Sequence, residues 1–266
     1  MNRASMIPLV LCVRSGASFA SFRLETEPQR TVLDLLERLR ADDERVPAYR
    51  HSCHHGSCGT CGAVISGLPS LMCLTTAADL SAPRPRRPGG PAVDPERDSG
   101  GAVIVTLEPL ARMSVVSGIA VRPGPVFAGI PRDASYLAAA DDSGRSPLPP
   151  DPAGARVGQG NVGSGHEGDS WRPIGRARFE ACIECGLCVA ACPVSLPFIG
   201  PAALAAVNRE RQKRPERAAA MLAIAAAPDG VEPCGRFLAC SRVCPQAVYP
   251  GKHIQLLRNV LADGQR

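Results

Sequence analysis

The chain has few aromatic side chains and no long apolar run. Aromatic residues make up 4% of its 266 residues, and there is a single tryptophan. A helix that crosses a bilayer needs about 20 consecutive apolar residues. The longest apolar run here, residues 218–227, is alanine-rich and predicts a packed helix. Any association with a membrane is therefore expected to go through another subunit.

The chain also lacks a strong excess of one charge. Its 30 Lys and Arg residues exceed its 25 Asp and Glu residues by a net charge of +5. The basic residues are not interleaved with aromatic ones as they are on a nucleic-acid-binding surface, so we expect no nucleic acid partner. A basic cluster at residues 209–217 is interpreted as a solvated helix face, with docking to an acidic partner as the alternative.

Motifs for bond-making chemistry are missing as well. The sequence contains no nucleophile–base pair, no paired carboxylates and no flavin-binding motif. Residues 158–163 match G-x-G-x-x-G, but no strand precedes them and no helical pattern follows, so the context excludes a dinucleotide site. We therefore predict no catalytic residue in this chain, and expect it to leave bond-making to others.

Glycine and proline are abundant by contrast, with 26 residues of each. They concentrate in residues 81–101 and 141–173, which favours two modest cores joined by irregular segments. We predict a disordered insertion at residues 81–101 and a connecting segment and Gly/Pro-rich linker at residues 111–173.

The clearest pattern in the sequence is a run of cysteines near the C-terminal end. Cys182, Cys185, Cys188 and Cys192, followed by Pro193, have the spacing C-x2-C-x2-C-x3-C-P. This run binds iron–sulfur clusters in two-cluster ferredoxins, where the fourth cysteine serves the other cluster. A second run is therefore required.

The second run repeats the first fifty-two residues later, as Cys234, Phe237, Cys240, Cys244 and Pro245. Exchange of the fourth cysteines assigns a complete set of four ligands to a 4Fe-4S cluster: Cys182, Cys185, Cys188 and Cys244. The other cluster receives Cys192, Cys234 and Cys240. Because the phenyl ring of Phe237 cannot bind iron, we predict a 3Fe-4S cluster there.

A third set of cysteines lies in the N-terminal half. Cys53, Cys58, Cys61 and Cys73 have the C-x4-C-x2-C…C spacing of plant-type 2Fe-2S ferredoxins. The glycines at 56, 59 and 62 are expected to give this loop the freedom of φ that turns amides toward the sulfurs. A thiol-rich loop without a cluster is the alternative.

The remaining metal-binding residue types are assigned smaller roles. His54 and His55 lie inside the 2Fe-2S loop and are expected to tune its potential by hydrogen bonding. Cys12 is interpreted as a small buried hydrophobe on the first strand. Zinc is the weaker interpretation of the cysteine runs, because structural zinc sites use separated pairs of ligands. Disulfides are disfavoured because C-x2-C clusters point to metal ligation in a reducing compartment.

The apolar pattern predicts an α+β protein with two domains. Residues 7–13 and 18–24 are predicted strands, although the same N-terminal stretch mimics a short signal peptide. Thr31 and Asp34 predict a capping box that opens a helix, and residues 63–66 and 103–107 predict two further strands. We therefore expect a 2Fe-2S domain over residues 1–110 and a helical two-cluster domain over residues 174–266.

Together these motifs resemble the iron–sulfur subunit of succinate dehydrogenase and fumarate reductase. The likeness rests on Tyr49-Arg50-His51-Ser52-Cys53 with Cys58-Gly59 and Cys61, on the run from Cys182 to Cys192-Pro193, and on Cys234, Cys240 and Cys244-Pro245. The resemblance implies a ferredoxin-like (β-grasp) N-terminal domain and an α-helical C-terminal domain. The chain departs from many relatives in having no tryptophan after Cys192-Pro193, and glycine at 235.

The resemblance also implies a function and partners. The chain would be the electron-transfer subunit that passes electrons from the FAD of a flavoprotein subunit through the 2Fe-2S, 4Fe-4S and 3Fe-4S clusters to quinone. It would lie at the cytoplasmic face of the cell membrane, held by one or more membrane anchor subunits. Fumarate reduction in the reverse direction and a free-standing ferredoxin-type carrier are the alternatives.

Overall fold

A computed structural model of the chain describes residues 6–122 and 182–264. The N-terminal part contains nine strands and two helices, in this order: β1 (Ile7–Ser15), β2 (Ser18–Thr26), α1 (Val32–Asp42), β3 (Gly62–Ile65), β4 (Leu68–Leu71), α2 (Ala77–Ser81), β5 (Arg84–Pro85), β6 (Ala92–Val93), β7 (Val103–Glu108), β8 (Val115–Ser117) and β9 (Ala120–Val121). The four strands predicted from the sequence correspond to β1, β2, β3 and β7.

Five of these strands form one mixed sheet in the order β2-β1-β7-β3-β4. The central pair, β1 and β7, is parallel, with Leu11 opposite Val105, whereas β1–β2, β3–β4 and β3–β7 are antiparallel. Leu9, Leu11 and Val13 alternate along β1 and are fully buried. This arrangement confirms the predicted ferredoxin-like fold of the N-terminal domain.

Helix α1 begins where the sequence predicts. The Thr31 hydroxyl accepts a hydrogen bond from the Asp34 amide, and the Asp34 carboxylate accepts one from the Thr31 amide, which together form a capping box. Val32, Leu35 and Leu36 are buried and join the core of the sheet. Helix α1 thereby fixes the chain that leads into the first cysteine loop.

Residues 81–101 are ordered, so the predicted disordered insertion is wrong. β5 and β6 pair as a short hairpin, and Arg97 forms a bridge with Val103 on the central strand β7. The Asp98 carboxylate accepts hydrogen bonds from the amides of Gly100 and Ala102, both at 2.9 Å. A few side-chain-to-backbone bonds therefore order a segment whose composition offers little apolar surface.

The C-terminal part is helical, as predicted. Its helices are α3 (Leu187–Ala190), α4 (Pro201–Lys213), α5 (Ala218–Ala226), α6 (Ala239–Arg242) and α7 (Pro250–Asp263), with a 3-10 turn at Pro215–Arg217. Proline occupies the first turn of α4 and α7, where its missing amide costs no hydrogen bond. A second core forms between α4, α5 and α7 around Leu204, Met221 and Leu257. Among the described residues, no helix is both long enough and apolar enough to span a bilayer.

The basic cluster at the end of α4 does not form the solvated face that the sequence suggests. The Glu210 side chain is 1% exposed and forms ion pairs with Arg209, Arg214 and Arg217. A buried carboxylate requires such partners, so the arginines turn toward it. The predicted linker lies largely outside the described residues, as does the G-x-G-x-x-G match, and the domain boundaries near residues 110 and 174 stay predictions.

Candidate iron–sulfur centres

The 2Fe-2S loop runs from Cys53 to Cys61 and leads directly into β3, while Cys73 follows β4. The Cys53 sulfur accepts hydrogen bonds from the amides of Ser57 and Cys58, both at 3.3 Å. Backbone hydrogen bonding, with the His55 amide contributing most, lowers the pKa of Cys53 to about 6. The loop thus favours the thiolate, which is the form that binds metal.

Cys73 closes the same site from the other side. Its pKa is raised to about 12, first by burial and then by the neighbouring thiol of Cys61, with a further contribution from Cys53. Cys73 therefore lies within electrostatic range of Cys61 and Cys53, two of the other predicted ligands. A bound iron centre would offset the cost of ionising the buried thiol, because a coordinating thiol is deprotonated outright.

Backbone conformation requires glycine at two positions of this loop, because φ is positive there, as the sequence predicts. Gly56 and Gly59 have φ of +81° and +68°, a region that disfavours residues with a Cβ. Gly62 differs, because it begins β3 without a positive φ. A Cβ at Gly62 would lie 2.9 Å from a methyl group of Leu110, so close packing, rather than backbone freedom, selects glycine there.

The four cysteines predicted to hold the 4Fe-4S cluster come together in the C-terminal part. Cys182, Cys185, Cys188 and Cys244 line one cavity. Burial is the main cause that raises the pKa of Cys188 well above its ordinary value, and the thiols of Cys185 and Cys182 add to it. Burial likewise raises the pKa of Cys185 to about 11, with Cys182 and Cys244 among its neighbours. Cys244 therefore joins the first run, as the exchange of fourth cysteines requires.

The remaining three predicted ligands lie near one another, and Cys240 is also close enough to Cys188 to raise its pKa. Burial raises the pKa values of Cys192 and Cys240; the Cys234 thiol raises both further, and Cys192 also acts on Cys240. Phe237 lies beside this group with its side chain 56% exposed, and its ring lies against Gly235. The one cysteine outside the three sets, Cys12, lies on β1 and accepts a hydrogen bond from Ser21 at 3.5 Å.

The surroundings of the cysteines bear on which group they could hold. All twelve cysteines are free of disulfide bonds. In residues 6–122 and 182–264, no three cysteine, histidine or carboxylate side chains form a group that could hold a single metal ion. Amide groups also point at the sulfurs, as at Cys244, which accepts a hydrogen bond from the Val248 amide at 3.3 Å. Such donors offset the negative charge of a thiolate-bound cluster.

Two residues near these centres were not found by reasoning from the sequence. Arg112, in the N-terminal part, acts electrostatically on Cys192 and lowers its pKa, although burial outweighs it. The Gln246 side chain donates a hydrogen bond to the carbonyl oxygen of Gly56 at 2.9 Å. Each contact joins segments about 80 or more residues apart in sequence, so no local sequence pattern predicts it.

The histidines of the 2Fe-2S loop contact the backbone and each other. The His55 Nδ1 lies within hydrogen-bond distance of the Cys53 carbonyl oxygen, and the His54 Nε2 lies 3.1 Å from the His51 Nδ1. The Glu37 carboxylate lies 3.5 Å from His51 and accepts a hydrogen bond from the Tyr49 hydroxyl at 2.6 Å. Tuning of the cluster by His54 and His55 stays a prediction.

Comparison with known proteins agrees with this description. Two family models match: a 2Fe-2S iron-sulfur cluster binding domain over residues 13–126 and a 4Fe-4S dicluster domain over residues 178–248. A fumarate reductase iron-sulfur subunit of Mycobacterium tuberculosis is 29% identical over 248 residues, covering 91% of this chain and 85% of that protein. The corresponding subunit of Wolinella succinogenes is 27% identical over 259 residues, covering 94% of this chain and 92% of that protein.

Relatives also include subunits named for the opposite reaction. A mitochondrial succinate dehydrogenase [ubiquinone] iron-sulfur subunit 2 of Oryza sativa is 27% identical, covering 86% of this chain and 64% of that protein. A solved structure of the Mycobacterium smegmatis Sdh1 complex in the apo form matches with a TM-score of 0.67 at 22% identity, covering 97% of both chains, and agrees with the fold. Over most of its length the chain is thus similar to iron–sulfur subunits named for succinate dehydrogenase and for fumarate reductase.

Proposed function

We propose that this chain is the electron-transfer subunit of a succinate:quinone oxidoreductase, and that it carries electrons from the FAD of a flavoprotein subunit toward quinone. Its path would run through the 2Fe-2S, 4Fe-4S and 3Fe-4S centres in that order. The observation that carries the proposal is the cavity in which Cys244 joins Cys182, Cys185 and Cys188, together with the effect of Cys234 and Cys192 on the pKa of Cys240. Clusters bound there supply one-electron transfer.

The proposed ligands are the residues that the sequence predicts. Cys53, Cys58, Cys61 and Cys73 would hold the 2Fe-2S cluster, Cys182, Cys185, Cys188 and Cys244 the 4Fe-4S cluster, and Cys192, Cys234 and Cys240 the 3Fe-4S cluster. The third assignment is supported by Phe237, which stands at the repeat position of a ligand but carries an apolar, largely exposed ring. The two domains, over residues 1–110 and 174–266, would each carry the clusters of their own cysteines.

An acceptor site beside the third centre is supported by a cavity of about 540 Å³ that includes Cys234, Cys240, Leu238 and Tyr249 in its walls. Its lining is mainly apolar with a few polar groups, as in small-molecule sites. Leu238 and Tyr249 are 47% and 42% exposed, so they are accessible to a ring or to a neighbouring protein. The absence of tryptophan after Pro193 leaves these residues to form a differently built quinone site.

Membrane anchor subunits are proposed to cover this end of the molecule. Two exposed apolar residues stand close in sequence to Cys192 and Cys234: Leu196 is 78% exposed and Phe237 is 56% exposed. Exposed clusters of apolar residues mark protein or membrane contacts. The flavoprotein would then dock near the 2Fe-2S loop, and the assembly would lie peripherally at the cytoplasmic face of the cell membrane.

The competing function is fumarate reduction with the same chain of centres run in reverse. It is favoured by the names of several relatives, including those of M. tuberculosis and W. succinogenes. Redox titration followed by EPR separates the two. A third-centre potential well below that of the cell's quinone contradicts succinate oxidation, and a potential near or above it supports that direction.

The first experiment is anaerobic purification of the tagged chain from its own cells, followed by EPR and by analysis of iron and acid-labile sulfide. We expect a flavoprotein and hydrophobic anchor proteins to co-purify, with about nine irons per chain, the sum of the three cluster formulas. A chain that carries its clusters but no flavoprotein would instead be a free-standing carrier. A colourless, zinc-containing chain would contradict both interpretations.

A further inference from the structure

The 2Fe-2S loop and the 4Fe-4S loop touch each other directly. Gly59 lies so close to the second loop that a Cβ there would be 2.6 Å from the Ile183 carbonyl oxygen and 2.8 Å from the Cys185 Cβ. Ile183 and Cys185 also pack against the core of the N-terminal sheet. No spacer separates the two sets of proposed ligands, so a side chain of one loop can act on the ligands of the other.

Gln246 is the side chain that does so through a hydrogen bond. It lies two residues after Cys244, and its Nε2 donates to the Gly56 carbonyl oxygen at 2.9 Å across a separation of 190 residues. That carbonyl belongs to the same peptide unit as the Ser57 amide, which donates to the Cys53 sulfur at 3.3 Å. A continuous path therefore leads from Gln246 through one peptide group to a proposed cluster ligand.

Hydrogen bonds in series strengthen one another. Donation to a peptide oxygen withdraws electron density from the unit and makes its N–H a better donor. A stronger N–H···S bond stabilises the cluster most in its reduced, more negative state, and hydrogen bonds to the sulfurs are one determinant of cluster potential. Gln246 is also partly buried, which limits competition from water for this bond.

We infer that Gln246 is a positioning residue through which the 4Fe-4S loop orders the 2Fe-2S loop and raises the reduction potential of the 2Fe-2S cluster. Gln246 lines the cavity of the proposed 4Fe-4S ligands, and its effect on the 2Fe-2S cluster runs through the Gly56–Ser57 peptide. The inference rests on the proposed assignment of Cys53 as a 2Fe-2S ligand. Its consequence is that the first electron acceptor in the chain is tuned from the neighbouring domain.

The test measures the midpoint potential of the 2Fe-2S cluster by EPR-monitored redox titration of the purified complex. Gln246→Leu removes the donor while keeping a similar volume, and we expect the one-electron reduction equilibrium to fall by up to about tenfold, which corresponds to about 59 mV. Gln246→Lys keeps an N–H donor of similar reach, so its potential is expected at or above that of the wild type. Gln246→Glu replaces the donor by an acceptor and is expected to give the lowest value.

Two comparisons keep the outcome specific. Gln29→Leu is the matched control, because Gln29 is exposed and bonds only locally to Glu27 among the contacts described, and it should leave the potential unchanged. The 4Fe-4S potential of the uncharged variant Gln246→Leu reports whether the docking of the two loops is disturbed in general, whereas a charged side chain at this position would act on that cavity directly. If Gln246 had a purely structural role, its variants would retain the cluster less well. The 2Fe-2S potentials would then not decrease in the order Gln246→Lys, wild type, Gln246→Leu, Gln246→Glu.

The inference is overturned if Gln246→Leu retains the wild-type 2Fe-2S potential, or if Gln246→Lys lowers that potential as much as Gln246→Leu. If the leucine variant loses its cluster, the lysine and glutamate variants still decide the question. Failure of the proposed function looks different, because the wild-type chain itself would then lack the 2Fe-2S signal.

Discussion

The guanidinium group of Arg112 donates a hydrogen bond to the carbonyl oxygen of Val194, two residues beyond Cys192. Arg112 stands in the turn after β7 with a positive φ of 66°, so a residue with a strained backbone conformation lies at the edge of the proposed third centre. The same cation lowers the pKa of Cys192 against the larger opposing effect of burial. A positive charge at this position also favours an added electron on the cluster proposed there.

Replacement of Arg112 by glutamine should therefore lower the potential of the third cluster. We expect the one-electron equilibrium to shift about threefold to tenfold toward the oxidised state, or about 30–60 mV, measured by EPR-monitored titration. Arg38→Gln is the control, since Arg38 is an exposed arginine that bonds to the Glu25 carbonyl oxygen on the sheet. An equal shift in both variants would contradict a local effect of Arg112.

Exchange of the fourth cysteines can be tested by comparing two alanine variants. Cys244→Ala is expected to remove the 4Fe-4S signal and spare the 3Fe-4S signal, because Cys244 lies with Cys182 and Cys185. Cys192→Ala should do the reverse, because Cys192 lies with Cys234 and Cys240. EPR of the oxidised and reduced complexes reads the two signals separately. The opposite pairing of variant and lost signal would refute the ligand assignment.

Phe237→Cys should supply the ligand that the third centre lacks. Phe237 occupies the repeat position of Cys185, so we expect the 3Fe-4S signal of the oxidised protein to be replaced by that of a reducible 4Fe-4S cluster, with one more iron per chain. Leu238→Cys is the matched control one residue away and should keep the 3Fe-4S signal. Persistence of that signal in Phe237→Cys would show that the repeat does not define the ligand positions.

Gly59→Ala should destabilise the contact between the two cluster loops. The substitution adds a methyl group at a positive φ and within 2.6 Å of the Ile183 carbonyl oxygen, and overpacking of this kind costs about 1–3 kcal/mol beyond the backbone penalty. Gly16→Ala is the control, because its φ is +59° with nothing within 4 Å. Anaerobic denaturation should show a larger loss of unfolding free energy for Gly59→Ala than for Gly16→Ala. Equal losses would mean that the two loops move apart to accommodate the methyl group and would contradict the prediction.

His253 predicts a dependence of stability on pH. Burial is the main cause that lowers its pKa to about 4, with a smaller effect of Lys252, and its Nδ1 lies 2.9 Å from the Asn208 side-chain amide. The unfolded chain binds a proton near pH 6.5 whereas the folded chain does not until about pH 4, so stability is complete above pH 6.5 and falls as the pH drops toward 4.

The size of this effect is at most about 3 kcal/mol. It is measured as the difference in unfolding free energy between pH 7 and pH 4.5 under anaerobic conditions. His253→Gln should flatten that difference, because glutamine can accept from Asn208 without taking up a proton. The same slope in wild type and variant would assign the pH dependence to other groups, such as the cluster thiolates that both proteins share.

The features predicted correctly from the sequence depend on the spacing of residues that lie close together in the chain. The capping box of Thr31 and Asp34 and the alternation along β1 depend on neighbours within a few residues, and both appear in the structure. The division of the cysteines into ligand sets could be predicted from the sequence because the internal repeat shows which positions correspond. The structure brings Cys244 into one cavity with Cys182, Cys185 and Cys188.

The misjudged features depend on contacts that composition does not encode. Asp98 orders the segment at residues 81–101 through two backbone amides, against an expectation based on its proline and glycine content. Glu210 draws three arginines inward from a cluster that looks solvated in sequence. Arg112 and Gln246 each contact partners that are distant in sequence, 82 and 190 residues away. In each case a contact made by one polar side chain determines the local structure, which the composition of the neighbouring sequence does not predict.

Leu187 shows how closely the two halves depend on each other. It stands inside the C-terminal cysteine run, yet it is 1% exposed and belongs to the hydrophobic core of the N-terminal sheet. The loop proposed to receive the larger cluster therefore takes part of its support from the sheet. Severing the chain between its halves would expose the apolar side chain of Leu187 to water beside that proposed site.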